Sequence, residues 1–163
     1  AGGSSIEDIR LYFERDMSLR QIEVGIHADV RDKFGKWLKA EVVETKSSGR
    51  LVKIHYHGWD RKWDEWIDVK RATPYCFMPF GSISSAPDPG LFKVGDAVRV
   101  PTFYPKRQKN YRIYLLDHLP MQLATVTMVD KAQVQVRVVH PGGSRHEFWF
   151  DQRSPEINKA VES

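Results

Sequence analysis

A dense aromatic run in the first half of the chain constrains the fold most. Residues 55–66 read HYHGWDRKWDEW, and four of their rings fall within eleven positions. The glycine in the run predicts a tight turn, and the residues just before it alternate between apolar and polar side chains, as in a β-strand. Soluble proteins rarely gather this much aromatic surface around one turn unless the rings fill a core or bind a ligand.

The same plan occurs twice along the chain. KVGDAVRV at 93–100 matches EVGIHADV at 23–30, and SRHEFWFD at 144–151 matches RKWDEWID at 61–68 without a gap. Short alternating segments separated by Gly and polar turns are typical of small antiparallel strands. The sequence therefore predicts a mainly β chain with two small antiparallel SH3-like barrels and a short N-terminal helix.

The repeat also sets the predicted domain organisation. We expect an N-terminal helical segment at 6–20, a first domain at 21–76, a linker at 77–91, and a second domain at 92–157 with an inserted loop at 101–121. A cap at Ser5 followed by Ile6, Ile9 and Phe13 on one face supports the helix. Pro, Gly and Ser residues mark the linker.

The aromatic run resembles the signature H-Y-x-G-W-x-x-x-W-D-E-W of chromo-barrel (Tudor-knot) domains, which belong to the Royal family of chromatin readers. Such domains bind a methylated lysine in a cage of aromatic rings, where cation–π attraction replaces the weakened hydration of the methylated ammonium. The resemblance implies a Tudor-like cage formed by Tyr56, Trp59 and Trp63. It adds either Phe34 or Trp37 as a further ring.

The residues leave other roles open for the same side chains. The rings could instead fill the interior, since a barrel of about 55 residues needs large side chains. Asp60, Asp64 and Glu65 flank the rings. Such a carboxylate could accept a hydrogen bond from a methylated ammonium at the cage rim, or from backbone amides of the turn. The resemblance places Trp66 in the barrel core.

The second copy differs from the first at two places. By the ungapped match, Val139, Gly142 and His146 stand at the three cage positions, so we expect no equivalent cage there. The inserted loop, in contrast, combines cations with rings, which is how single-stranded nucleic acids are held. Candidate nucleic-acid contacts are Lys106, Arg107, Lys109, Tyr111 and Arg112.

The resemblance implies a non-enzymatic, chromatin-associated binding module in the nucleus, and we expect the chain to be part of a larger protein. The expected partner is a methylated protein or histone peptide, with DNA or RNA binding or a protein-interaction scaffold as alternatives. The formal net charge of +4 permits a nucleic-acid partner without demanding one. No motif indicates a catalytic site, a metal site, a cofactor or a membrane span, and His55 and His57 are expected to be exposed strand residues.

Overall fold

The computed structural model describes residues 22–72, 76–101, 106–108, 111–113 and 121–160. The first-half strands are β1 (His27–Arg31), β2 (Trp37–Lys46), β3 (Leu51–Tyr56), β4 (Glu65–Asp68) and β5 (Phe77–Pro79). The others are β6 (Ala97–Pro101), β7 (Lys106–Gln108), β8 (Tyr111–Ile113), β9 (Met121–Asp130), β10 (Gln133–Val139), β11 (Arg145–Asp151) and β12 (Asn158–Lys159). In the described residues, helix is limited to α1 (Val69–Ala72) and 3₁₀ turns at Ser47–Gly49 and Arg61–Trp63. The predicted helical segment at 6–20 lies outside them.

Two antiparallel sheets organise the chain, which confirms the predicted mainly β fold. The first sheet runs in the order β5-β1-β2-β3-β4, and the β7–β8 hairpin extends it through a parallel pairing of β8 with β4. The second sheet runs in the order β11-β10-β9-β6-β12. In β3, Val52, Ile54 and Tyr56 are buried, while Lys53 and His55 between them are only partly covered. This period-2 burial is the pattern expected of a strand with one face on a core.

The internal repeat extends to backbone hydrogen bonds. β1 and β6 each have five residues, and β2 and β9 each have ten. Ahead of β1, the Gly25 N–H donates to the Val42 carbonyl at 2.8 Å, and ahead of β6, the Gly95 N–H donates to the Val126 carbonyl at 2.8 Å. The matching segments of sequence therefore fold in the same way.

Part of the predicted linker belongs to the first sheet. Residues 77–79 form β5 and pair with β1. The buried carboxylate of Asp29 then accepts hydrogen bonds of 2.8 Å from the N–H groups of Gly81, Ile83 and Ser84, and one of 2.7 Å from the Ser84 hydroxyl. A buried carboxylate needs such donors to offset its lost hydration. The segment after β5 is thus fastened to the first sheet.

Trp66 is not a core residue, contrary to the expectation from the resemblance. The register of β3 and β4 pairs Trp66 with Lys53 and Ile67 with Val52, so Ile67 takes the inward position. Trp66 is half-buried, and the Lys46 ammonium lies 4.2 Å from its ring centroid.

The two sheets are joined by direct contacts. The Gln133 side chain accepts from the Trp37 N–H at 2.7 Å and donates to the Trp37 carbonyl at 3.1 Å. The buried guanidinium of Arg31 donates to the carbonyls of Gly35 and Trp149, both at 3.0 Å. Side chains from both sheets also contribute to one hydrophobic cluster. The turn between β1 and β2 is therefore held against the second sheet.

Candidate functional site

A cavity of about 130 Å³ opens at one end of the first sheet. Four aromatic rings line it, and we call them the aromatic box: Phe34, Tyr56, Trp59 and Trp63. They come from the β1–β2 turn, the end of β3 and the turn before β4, so segments distant in sequence converge on one space. The remaining lining residues are Asp32, Lys33, Leu38 and Glu65.

Phe34 is held in place by its backbone, although 54% of the residue is exposed. The Asp32 carboxylate accepts from the N–H groups of Phe34 at 2.9 Å and Lys36 at 3.0 Å, which fixes the turn in the way that Asp commonly does. The Phe34 carbonyl accepts from the Trp149 N–H of the second sheet at 2.8 Å. The exposed ring is thus attached to an ordered backbone.

Trp59 lies just before a short 3₁₀ turn at Arg61–Trp63, and Trp63 ends that turn. The Asp60 side chain caps this turn by accepting from the Lys62 N–H at 2.9 Å. The Trp63 N–H donates to the Asp60 carbonyl at 3.1 Å. Gly58 supplies the positive φ of 80° in the preceding turn, where the Trp59 N–H donates to the Tyr56 carbonyl at 3.2 Å. The two tryptophans are 53% and 42% exposed, so their rings are available to a ligand.

Tyr56 is the buried ring of the box. It is 3% exposed at the end of β3, and its hydroxyl donates to the Glu65 carboxylate at 2.7 Å. Glu65 is partly buried and pairs with inward-facing Ile54 in the β3–β4 register. The interior end of the cavity therefore combines a ring with a negative charge.

The structure does not bring every predicted residue to the cavity. Trp37 is 3% exposed and packs in a separate small cluster with Met78 and Ile83, so Phe34 is the fourth ring. Asp60 caps its turn, and Asp64 contacts the His55 imidazole at 2.7 Å; neither carboxylate lines the cavity.

Two acids line the cavity, Glu65 and Asp32. Glu65 was among the acids expected beside the rings, and the strand register puts it on the inner face while Trp66 points outward. Asp32 was not predicted. Asp32 lies four residues before a backbone N–H that it binds, a spacing typical of turns rather than of ligand sites.

Lys33 places a cation against the aromatic box. Its ammonium lies 5.0 Å from the Phe34 ring centroid and 5.2 Å from the Trp63 ring centroid. Both distances are within the range of cation–π attraction.

The other predicted sites are only partly described. Lys106 and Arg107 lie in β7, and Tyr111 and Arg112 lie in β8, while Lys109 lies outside the described residues. His57, expected to be an exposed strand residue, follows β3 and is exposed. Its imidazole contacts that of His27 at 3.0 Å.

Comparison with known proteins supports this description of the first sheet. Residues 22–73 match a family model described as "Tudor-knot: RNA binding activity-knot of a chromodomain". The first half resembles a Tudor-knot domain, as predicted. The matched range carries all four rings of the aromatic box and both acids of the cavity.

One curated relative is the Polycomb protein Sfmbt of Drosophila melanogaster, which is 30% identical over 63 residues. The match covers 39% of this chain and 5% of the length of that relative. The Tudor-knot family is one of binding modules rather than enzymes. The two matches together support a chromatin-associated binding module. Within the described residues, no helix has the length and apolar character needed to cross a membrane.

Proposed function

We propose that the aromatic box binds a methylated lysine of a histone or another chromatin protein, and that the chain acts as a non-enzymatic reader in the nucleus. The observation that carries this proposal is the convergence of four rings and two carboxylates on one cavity of about 130 Å³. Three of the rings come from the end of β3 and the turn that follows it, and the fourth comes from the β1–β2 turn.

The chemistry of the cavity suits a cation with an apolar surface. Each ring face contributes roughly 0.5 to 2 kcal/mol of cation–π attraction, depending on how fully the cation loses its water. Glu65 and Asp32 add negative charge at the wall. Lys33 supports the proposal, because its ammonium already lies close to two of the rings. A methylated ammonium gives up its hydration more easily than Lys33 does and competes well for the same rings.

The expected affinity is weak. A single small cavity makes few contacts beyond the methylated side chain, so we expect a Kd of roughly 10 to 500 μM, or about −4.5 to −7 kcal/mol. Efficient binding in a cell then depends on additional contacts with the same partner.

Isothermal titration calorimetry with three matched peptides tests the proposal. One carries unmodified lysine, the second carries trimethyl-lysine, and the third carries its uncharged isostere with carbon in place of the quaternary nitrogen. We expect binding of the trimethylated peptide and at least tenfold weaker binding of the other two. Trp63→Ala should abolish binding, whereas Trp66→Ala, which removes a ring outside the cavity, should preserve it.

Equal affinity for all three peptides would contradict the proposal. Binding of the isostere as tight as that of the charged ligand would mean that the cavity recognises shape and apolar surface only. Loss of binding in Trp66→Ala as well as Trp63→Ala would point to a folding defect. The amide NMR spectrum of each variant provides the necessary check.

A second candidate function is RNA binding, an activity named in the description of the matching family. The basic residues of the inserted loop and the net charge of +4 also favour it. Fluorescence anisotropy with a short single-stranded RNA tests it. Neutralising Lys106, Arg107 and Lys109 should weaken RNA binding and flatten its salt dependence, whereas Trp63→Ala should leave RNA binding intact.

A further inference from the structure

A larger groove continues from the aromatic box onto the second sheet. Its volume is about 520 Å³, and it shares four wall residues with the smaller cavity: Asp32, Phe34, Leu38 and Trp59. Its other walls are Lys36 and, from the second sheet, Gln135, Arg145, Glu147 and Trp149. A polypeptide that places one side chain in the aromatic box can therefore run on across both sheets.

The contact between the sheets gives the groove a fixed floor. The Trp149 N–H donates to the Phe34 carbonyl at 2.8 Å, and the Lys36 ammonium lies 4.4 Å from the Trp149 ring centroid. Trp149 is only 6% exposed. The sheets thus meet directly beneath the groove, so both of its walls are preorganised before a ligand binds.

Most of the charges along the groove are already engaged. Lys36 pairs with Asp130 at 3.3 Å. The Glu147 carboxylate accepts from the Arg137 guanidinium at 3.1 Å and from the Gln135 amide at 3.2 Å. The Asp32 carboxylate accepts from two backbone N–H groups, as described above.

Arg145 differs from these groups. It begins β11, its side chain is exposed, and within the described part of the chain its guanidinium has no hydrogen-bond or ion-pair partner. A guanidinium presents paired N–H donors that match a carboxylate better than any other common side chain. The groove therefore offers apolar walls near the box and an uncommitted cation on the second sheet.

We propose that the second sheet reads the sequence around the methylated lysine. The groove takes the extended segment next to that lysine, and Arg145 binds an acidic side chain of the same segment. This inference rests on the proposed function of the aromatic box. The second sheet, which lacks the cage residues, would then have a role in recognition.

Calorimetry on the full chain with three ligands tests the inference. The first is N-acetyl trimethyl-lysine methylamide, which can fill only the box. The second is a trimethyl-lysine peptide with glutamates on both sides of the lysine, and the third is the same peptide with glutamines instead. We expect the glutamate peptide to bind about three- to fivefold more tightly than the glutamine peptide, as for an exposed ion pair.

Arg145→Gln should abolish this preference and leave the affinity for the minimal ligand unchanged. Arg99→Gln is the matched control, because Arg99 is an exposed arginine on β6 and does not line the groove. The control variant should keep the full preference. Raising the salt concentration should reduce the preference in the wild type and in the control alike.

Two results would contradict the role of the second sheet, and a third would contradict methyl-lysine binding by the aromatic box. The groove is not a reading surface if the wild type does not distinguish the two peptides, or if Arg145→Gln and Arg99→Gln behave alike. In both cases the minimal ligand still binds, and the proposed function stands. Failure of the minimal ligand and both peptides to bind would contradict the proposed function itself.

Discussion

The Phe34 carbonyl accepts a 2.8 Å hydrogen bond from the N–H of Trp149, 115 positions away along the chain. The bond links the exposed ring of the aromatic box to the second sheet. Arg31 reinforces the link by donating to the carbonyls of Gly35 and Trp149. The geometry of the box in the first sheet consequently depends on the second sheet, which lacks a cage of its own.

Gly35→Ala, in the β1–β2 turn, should destabilise the fold more than Gly25→Ala, in the turn ahead of β1. A Cβ at Gly35 would meet the Trp149 carbonyl oxygen, and the backbone there has a positive φ of 86°. We expect the free energy of unfolding to fall by about 2 to 4 kcal/mol, measured by chemical denaturation. Gly25→Ala separates the two causes, since Gly25 has a φ of 99° and no atom within 4 Å of an added Cβ. A loss as small as that of Gly25→Ala would show that the sheets separate easily.

Lys33→Ala should strengthen binding of a trimethyl-lysine peptide. The Lys33 ammonium lies near two rings of the box and repels an incoming cation, so its removal favours the ligand. We expect a two- to fivefold lower Kd by calorimetry, corresponding to about 0.5 to 1 kcal/mol. Lys62→Ala is the control, because Lys62 also lies near Trp63, at 5.5 Å, but does not line the cavity. An equal gain in affinity in both variants would indicate a general charge effect. Weaker binding in Lys33→Ala would contradict the idea that the Lys33 ammonium competes with the ligand for the rings.

Glu65→Gln should weaken binding of methylated lysine by about three- to tenfold. The change removes a negative charge from the cavity wall and keeps the size of the side chain and an acceptor for the Tyr56 hydroxyl. Asp60→Asn is the matched control, since Asp60 lies outside the cavity and Asn also caps turns well. Calorimetry with mono-, di- and trimethylated peptides measures the effect. Unchanged affinity in Glu65→Gln would mean that the rings alone hold the cation.

The stability of the fold should fall as the pH is lowered through the range in which His57 titrates. The pKa of His57 lies below its ordinary value of 6.5, mainly because its surroundings desolvate the imidazolium and also because His27 is close by. His55 and Lys39 act in the same direction, and Glu41 opposes them. The unfolded chain therefore binds the proton more readily than the folded chain, and acidification through pH 6.5 favours unfolding.

Denaturation curves between about pH 8 and about pH 5 measure this dependence, with His57→Gln as the comparison. The variant should lose part of the decline seen in the wild type. NMR titration of the imidazole signals gives an independent reading, in which His27→Gln raises the pKa of His57. Identical pH profiles for wild type and His57→Gln would rule out this residue as a source of the decline.

Much of the fold could be predicted from the sequence because its signals are local. Alternating residues define β3, and the glycines at 25 and 95 lie in equivalent turns, so the repeat is visible without a structure. The predicted core position of Trp66 was wrong because the strand register decides whether a side chain points inward or outward. The pairing of Ile67 with Val52 decides that register.

The residues of the candidate site could be predicted only where they lie in one continuous segment of sequence. Tyr56, Trp59 and Trp63 fall in a single run, whereas the choice between Phe34 and Trp37 depends on how the β1–β2 turn meets the second sheet. Gln133 binds the backbone of Trp37 and, together with Met78 and Ile83, accounts for its burial. Contacts between sheets of this kind have no signature in local spacing.

A two-dimensional NMR titration of the full chain tests the central claim most directly. The ligands are matched histone peptides with unmodified or trimethylated lysine, and the signals are the indole N–H groups of Trp59 and Trp63. If the aromatic box binds methylated lysine, both signals shift with the trimethylated peptide alone, and neither shifts in a folded Tyr56→Ala variant. Equal responses to the two peptides, or no response to either, would contradict it.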